Sequence, residues 1–290
     1  MQLPAKDTFF KKKLTINLRG TLIDLTRPKV MGIINLTPDS FYAGSRKPAV
    51  EDALQQTEEM LKDGATFIDL GAYSSRPGAV DISAQEETDR LLPVIEAIIK
   101  NFNEAILSID TFRAAVAEAA VNAGAHIIND ISGGQLDEAM FTTAARLKVP
   151  YILMHMKGNP QNMAQQAQYD DLFSEVLDHL AIKYHALKAL GIHDVIIDPG
   201  FGFAKESHHS YELMRRLREF DLLELPILVG ISRKRMVYHT IGKTATEALN
   251  GTTALNTIAL MNGANILRVH DVKEAVEAVK VFEAVMNQEV

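Results

Sequence analysis

"IIDPGFGFAK", residues 196–205, decides how this chain is read. A short apolar run stops at a carboxylate, Asp198. A proline and two glycines follow, and Lys205 stands seven residues beyond the aspartate. An apolar run of this length, bounded by Pro and Gly, reads as a buried strand. Seven other runs resemble it: residues 30–35, 67–71, 106–110, 126–130, 151–155, 227–230 and 266–269. Between them lie segments with apolar residues at i, i+3 and i+4, as in 50–64, 114–124 and 176–191, with a last one at 272–285. Gly64, Gly124, Gly191 and Gly263 stand where such helices end. Eight strands, each followed by room for a helix, predict an α/β fold, a closed (β/α)8 TIM barrel. An open doubly wound sheet is the alternative. The count of eight and the like length of the runs favour the barrel. Residues 14–25 alternate apolar and polar positions and predict a β-hairpin under the barrel, within an N-terminal segment 1–29. No linker composition interrupts residues 1–290, so the chain is read as one domain.

Composition narrows the functions. The chain has 290 residues, 47% of them hydrophobic and 23% charged, which suits a folded core and not a disordered chain. A net charge of −7 repels phosphate backbones, so nucleic acid is not expected as a partner. The absence of cysteine excludes disulfides, thiolate metal sites and a cysteine nucleophile, and it fits a reducing cytoplasm. Lys11, Lys12 and Lys13 follow only two phenylalanines, with no apolar signal core. No apolar run reaches the ~18–20 residues of a membrane span. A cytoplasmic protein with no membrane partner is expected.

In a barrel of this kind the site lies where the strands' C-terminal ends meet. Those ends carry Asn35, Gly71, Asp110, Asn129 with Asp130, His155, Asp198, Gly230 with Ser232, and Arg268 with His270. Aliphatic residues would otherwise fill inward positions. Asp110 and Asp198 in one cavity are costly without partners. An ionised carboxylate accepts pairs of parallel N–H groups, so two of them ask for a ligand rich in N–H donors. Arg76, Lys205, Arg233, Lys234, Arg268 and His270 lie in or after the strand-end loops and suit an anionic tail. Neither a P-loop nor a dinucleotide fingerprint fits these spacings. Lys234 also reads as a Schiff-base lysine, or as one charge of a solvated Arg233–Arg235 run. His155 reads as a base, a metal ligand or a satisfied core histidine. Residues 35–45 and 72–79 are rich in Ser, Pro and Gly, and read as lids or as variable surface loops.

The motifs "MGIINLTPDSF" (31–41), "SSRPG" (74–78), "SIDT" (108–111), "INDISGG" (128–134), "DPGFGFAK" (198–205), "GISRK" (230–234) and "LRVHDV" (267–272) come in one order. In this the chain resembles the dihydropteroate synthases, the folate-pathway branch of the pterin-binding barrels. The resemblance implies two small-molecule substrates, 6-hydroxymethyl-7,8-dihydropterin diphosphate and 4-aminobenzoate. It implies that Asp110, Asn129, Asp198 and Lys234 hold the pterin, with Met154 packed against it. Asn35, Arg268 and His270 would hold the diphosphate, with Mg²⁺ bound through Asn35. Ser75, Arg76, Phe203 and Lys234 would form the 4-aminobenzoate site. Asp110, Lys234, Asn35 and Arg268 are the implied catalytic residues. Three positions depart from the family pattern: Tyr73 stands for an acid, Ser75 for threonine and Arg235 for serine. A methyltetrahydrofolate methyltransferase and a non-catalytic pterin-binding paralogue are the competing readings. Residues 248–264 are apolar on more than one face, and Val276, Val279, Phe282 and Val285 follow on the last helix. That surplus predicts a homodimer, with Leu255 and Ile258 at its interface, and the resemblance points the same way.

Overall fold

The computed structural model describes residues 12–36, 47–74 and 81–286. Its strands are β1 (Thr15–Leu18), β2 (Thr21–Asp24), β3 (Lys29–Asn35), β4 (Phe67–Gly71), β5 (Leu107–Asp110), β6 (Ile127–Asp130), β7 (Tyr151–Met154), β8 (Val195–Asp198), β9 (Leu228–Val229) and β10 (Ile266–Val269). Its α-helices are α1 (Lys47–Lys62), α2 (Ala84–Asn101), α3 (Ala114–Asn122), α4 (Met140–Leu147), α5 (Leu172–Ala189), α6 (Ser207–Arg215), α7 (Arg235–Thr240), α8 (Leu249–Met261) and α9 (Val272–Met286). The eight strands from β3 to β10 are parallel and lie in the order β8-β7-β6-β5-β4-β3-β10-β9. A parallel bridge from Ile197 to Ile227 joins the two outer strands and brings the sheet round on itself. The expected (β/α)8 barrel is therefore present, and the open sheet is excluded. β9 is short because Pro226 and Gly230 bracket it. The Ile227 N–H is taken by the Asn265 side chain at 3.0 Å and not by a strand neighbour. Among the described residues, no helix is long and apolar enough to cross a membrane.

The period of two along each strand sorts the side chains into layers. Met31, Phe67, Ile127, Ile152, Ile196, Leu228 and Ile266 form one buried apolar cluster inside the lower barrel. β1 and β2 pair as the expected antiparallel hairpin and close this end, with Ile16, Leu18 and Leu25 packed into the same cluster. The alternate residues Ile68, Leu70, Ile128, Leu153, Ile197, Leu267 and Val269 face out and pack under the helices. Two residues above the apolar layer, the inward positions become Asp69, Asn129, Met154, Asp198 and Arg268. The same parity turns Asp130 outward. Its carboxylate accepts bonds from the Ser132 and Gly134 N–H groups, both at 2.7 Å, and from the buried Tyr151 hydroxyl at 2.5 Å. Asp130 thus braces the loop after β6 from outside the barrel, and no ligand reaches it from the mouth.

Tyr151→Phe removes one donor from this buried carboxylate. The expected loss is about 1–3 kcal/mol of stability. Urea unfolding checks it, as a lower midpoint with an unchanged slope.

Candidate active site

Strand parity and burial build the site together. Asp69 is fully buried, and one of its oxygens accepts both the Arg268 Nε–H at 2.6 Å and the Asn129 amide at 3.1 Å. The other oxygen, Oδ1, is buried with no hydrogen-bond partner among the described residues. A second arm of the Arg268 guanidinium, Nη2, donates to Asp110 at 2.6 Å. β4, β5, β6 and β10 are thereby cross-linked by polar side chains inside the barrel. On the facing side, Asp198 caps its own loop by accepting the Gly200 N–H at 2.7 Å. Lys234 Nζ donates to the Phe201 carbonyl at 2.6 Å and stands 4.7 Å from the centroid of the Phe203 ring.

Charge in this layer is unbalanced. Three carboxylates, Asp69, Asp110 and Asp198, face two cations, Arg268 and Lys234. Burial pushes the Asp110 carboxyl up to about 7, against the pull of Arg268. Burial also raises Asp198, against Lys234 and the Gly200 N–H. It brings Lys234 down to about 8, against the attraction of Asp198. For Arg268 burial acts downward, but Asp69 and Asp110 together hold it above its ordinary range. Such a layer favours a ligand that brings N–H donors. Beside it lies a separate apolar cluster of Ile131, Met154, Met156, Met163 and Ala204, with Phe112 and Phe203 packed against it. A flat ring resting there would turn its polar edge to the carboxylates.

The loop after β8 is held from below. Gly200 has a φ of +74°, and a Cβ there would sit 2.0 Å from the His155 carbonyl oxygen, so only glycine fits. Lys205 is buried, with Nζ 2.7 Å from His155 Nδ1 and 3.1 Å from the Phe203 carbonyl. Burial puts its amine well below the ordinary lysine range. Lys205 therefore staples the loop and is not a cation at the rim. Burial, and then Lys205, push His155 far down as well, and its ring meets His179 edge-on at 4.8 Å. This is the satisfied core histidine among the readings of that residue. Arg233 grips Asp271 with Nε at 3.0 Å and Nη2 at 2.5 Å, so it too is committed to structure. Lys234 points inward and is no part of a solvated run. His270 Nδ1 lies 3.1 Å from the Ser232 hydroxyl, which accepts the His270 N–H at 3.2 Å. Asn35 is exposed at the end of β3. Ser75 and Arg76 lie outside the described residues, as do positions 37–45 and 75–79 of the two expected lids. Sequence reading missed Asp69. Its signal was a carboxylate inside the apolar run "FIDLG", two residues from Phe67 on the same face.

The family model for pterin binding enzyme matches residues 31–270, and the chain belongs to that family. Within it, several relatives that match over nearly the whole chain are dihydropteroate synthases. That of Escherichia coli (strain K12) is 44% identical over 271 residues, 93% of this chain and 95% of its own. That of Bacillus subtilis (strain 168) is 40% identical over 261 residues, 89% of each chain. The solved Yersinia pestis dihydropteroate synthase with a sulfonamide drug complex aligns with a TM-score of 0.88 at 44% identity, covering 94% of this chain and 99% of that one. The Thermus thermophilus dihydropteroate synthase in complex with 4-aminobenzoate gives 0.84 at 39% identity, covering 93% and 99%.

The raised Asp110 carboxyl has a signature in stability. Between its ordinary value and about 7, the folded protein holds a proton that the unfolded chain has lost, so stability falls as pH rises through that window. His179, brought down to about 4 by burial, acts oppositely, adding stability as pH rises from about 4 to its ordinary range. Asp110→Asn is expected to remove its own share of the falling component, leaving the shares of the other raised carboxyls, Asp198 among them, and the rising one of His179. Thermal melts from pH 4 to 8, wild type against variant, check the difference.

Proposed function

We propose that this chain condenses 6-hydroxymethyl-7,8-dihydropterin diphosphate with 4-aminobenzoate, giving 7,8-dihydropteroate and diphosphate. The observation that carries this reading is the acid-rich inward layer beside the methionine cluster, in a barrel of the pterin-binding family. A pterin offers a guanidine-like edge, which Asp198 and Asn129 would take up with Lys234, while Met154 packs on the ring face. Asp198→Asn should weaken binding of a pterin by about 10-fold or more, since an amide turns a donor toward a ligand donor. Calorimetry showing unchanged affinity would remove Asp198 from the site.

An aniline nitrogen is neutral at pH 7 and its lone pair is free, so no strong base is needed. The difficult event is departure of the diphosphate. The methylene C–O bond breaks and its electron pair leaves with the diphosphate. The amine lone pair then forms the C–N bond, and a proton passes to solvent. We assign an SN1-like course, in which the ionised Asp110 favours the developing methylene cation. Arg268 uses two of its five N–H donors on Asp69 and Asp110; the rest, with His270 and Asn35, would meet the diphosphate. Among the described residues, no group of three or more His, Asp or Glu side chains could hold a metal ion. Asn35 offers one neutral oxygen, and that donor set fits Mg²⁺ carried chiefly by diphosphate oxygens and water. When bound there, Mg²⁺ would supply charge stabilisation to the leaving group. Phe203 and Lys234, with Ser75 and Arg76, would seat the 4-aminobenzoate. We place the reaction in the cytoplasm, which a cysteine-free chain suits.

Turnover with both purified substrates decides the reading. Dihydropteroate and diphosphate formed one to one support it. Pterin binding without turnover would make the chain a non-catalytic paralogue. Methyl transfer from methyltetrahydrofolate would make it a methyltransferase.

We also propose that the chain pairs through α8 and α9. Ile258 is 46% exposed, Met261 45%, Val281 63% and Val285 60%. Leu255, expected at the same interface, turns inward and is buried in the core, because α8 needs that face against the barrel. Ile258→Glu is therefore the informative change. Sedimentation should show a dimer for the wild type and a monomer for this variant, with pterin binding intact. A wild-type species of only the 32.0 kDa chain mass would end the proposal.

A further inference from the structure

Tyr73, two residues beyond β4, makes contacts that the reaction above leaves unused. Its ring meets Phe112 edge-on, with centroids 4.9 Å apart. The Arg113 guanidinium lies 5.1 Å from the Tyr73 ring centroid and 5.0 Å from that of Phe112. Arg113 is itself fixed by the buried Glu87 at 2.7 Å and by Asp81 at 3.2 Å. The β4 and β5 side of the mouth therefore carries a braced aromatic wall. From the β7 side, Gln161 Nε2 donates to the Tyr73 hydroxyl at 2.6 Å.

Gln161 belongs to a turn that is bonded to itself. Asn159 Oδ1 accepts the N–H groups of Gln161 at 3.1 Å and Asn162 at 3.0 Å. Asn162 Oδ1 accepts the Asn159 N–H at 2.8 Å. Such a turn shifts as one piece. Two residues after Gln161, Met163 is buried in the methionine cluster with Met154 and Met156, and Phe112 packs on that cluster as well. Each end of the Tyr73–Gln161 contact thus leads to the same apolar surface, the one assigned to the pterin.

We propose that the Tyr73–Gln161 pair is a tie across the barrel mouth that decides which nucleophile reaches the pterin methylene. Once the C–O bond breaks and diphosphate leaves with the electron pair, two lone pairs compete for that carbon. The amine forms a C–N bond and releases a proton, giving dihydropteroate. Water forms a C–O bond and releases a proton, giving the hydroxymethyl pterin. The tie holds Met163 and Phe112 together over the ring and limits access of water. Tyr73 is in this sense a positioning residue, acting through the methionine cluster. The inference rests on the reaction proposed above.

The readout is diphosphate released against dihydropteroate formed, with both purified substrates. Y73F keeps the ring and its stacking, and loses only the hydroxyl. Q161L removes the donor from an exposed position, where the fold does not depend on it. Each variant should raise uncoupled diphosphate release about fivefold, the scale of one lost hydrogen bond. KM for the pterin diphosphate and the melting temperature should stay unchanged. Because the two residues share one contact, the double variant should be no worse than either alone. A ratio that stays at the wild-type value in both variants, or effects that simply add, would overturn the tie. A wild type that forms neither product would instead overturn the reaction, so the two failures are told apart.

Discussion

A guanidinium held between two carboxylates, Asp69–Arg268–Asp110, is the constraint on which the inside of this barrel depends. Taking these charges out of water is expensive, and the expense is offset only where geometry and hydrogen bonds are good. Here both arms of the fork close at 2.6 Å, and Asp69 takes a further bond from Asn129. The rigid planar donor set of arginine suits this role in a way that lysine does not. The layer rests on apolar side chains that the hairpin covers from below. What remains exposed to the mouth is an excess of acceptors. That excess, more than any single residue, is what suits the layer to the N–H-rich ring of the function proposed above.

The loop after β8 follows from the same constraint. Asp198 is carried on a rigid strand, but Phe201 and Phe203 must lie above it to meet Lys234. A glycine at 200 lets the backbone turn back over the His155 carbonyl, and Lys205 then reaches down to His155 and the Phe203 carbonyl. Backbone freedom is needed to make the turn and a buried amine to fix it. Phe201 and Phe203 are thereby presented to Lys234, one by its carbonyl and one by its ring.

Most of this was legible in the chain, because period and punctuation are local properties. All eight barrel strands stand within a residue of their expected bounds, and β9 is the shortest because the Asn265 side chain takes the Ile227 N–H. What lay beyond reach was side-chain pairing. Nothing in "FIDLG" says that Asp69 is answered by a residue about two hundred positions later. Asp130 and Asn129 read alike as strand ends, and only parity separates them. Lys205 read as a rim cation since lysine is seldom buried, and its partner His155 stands just past the end of another strand, β7. Leu255 and Ile258 share a helix three residues apart, yet the barrel claims only one.

The ring of strands closes where β10 comes to lie beside β3. These are its last and first members in the chain. Arg268 therefore emerges from the ribosome after Asp69, Asp110 and Asp198. A nascent chain that lacks the final strand holds its inward acids without their guanidinium, and those acids resist burial. Neutralisation of the interior and completion of the circle thus fall in the same step of synthesis.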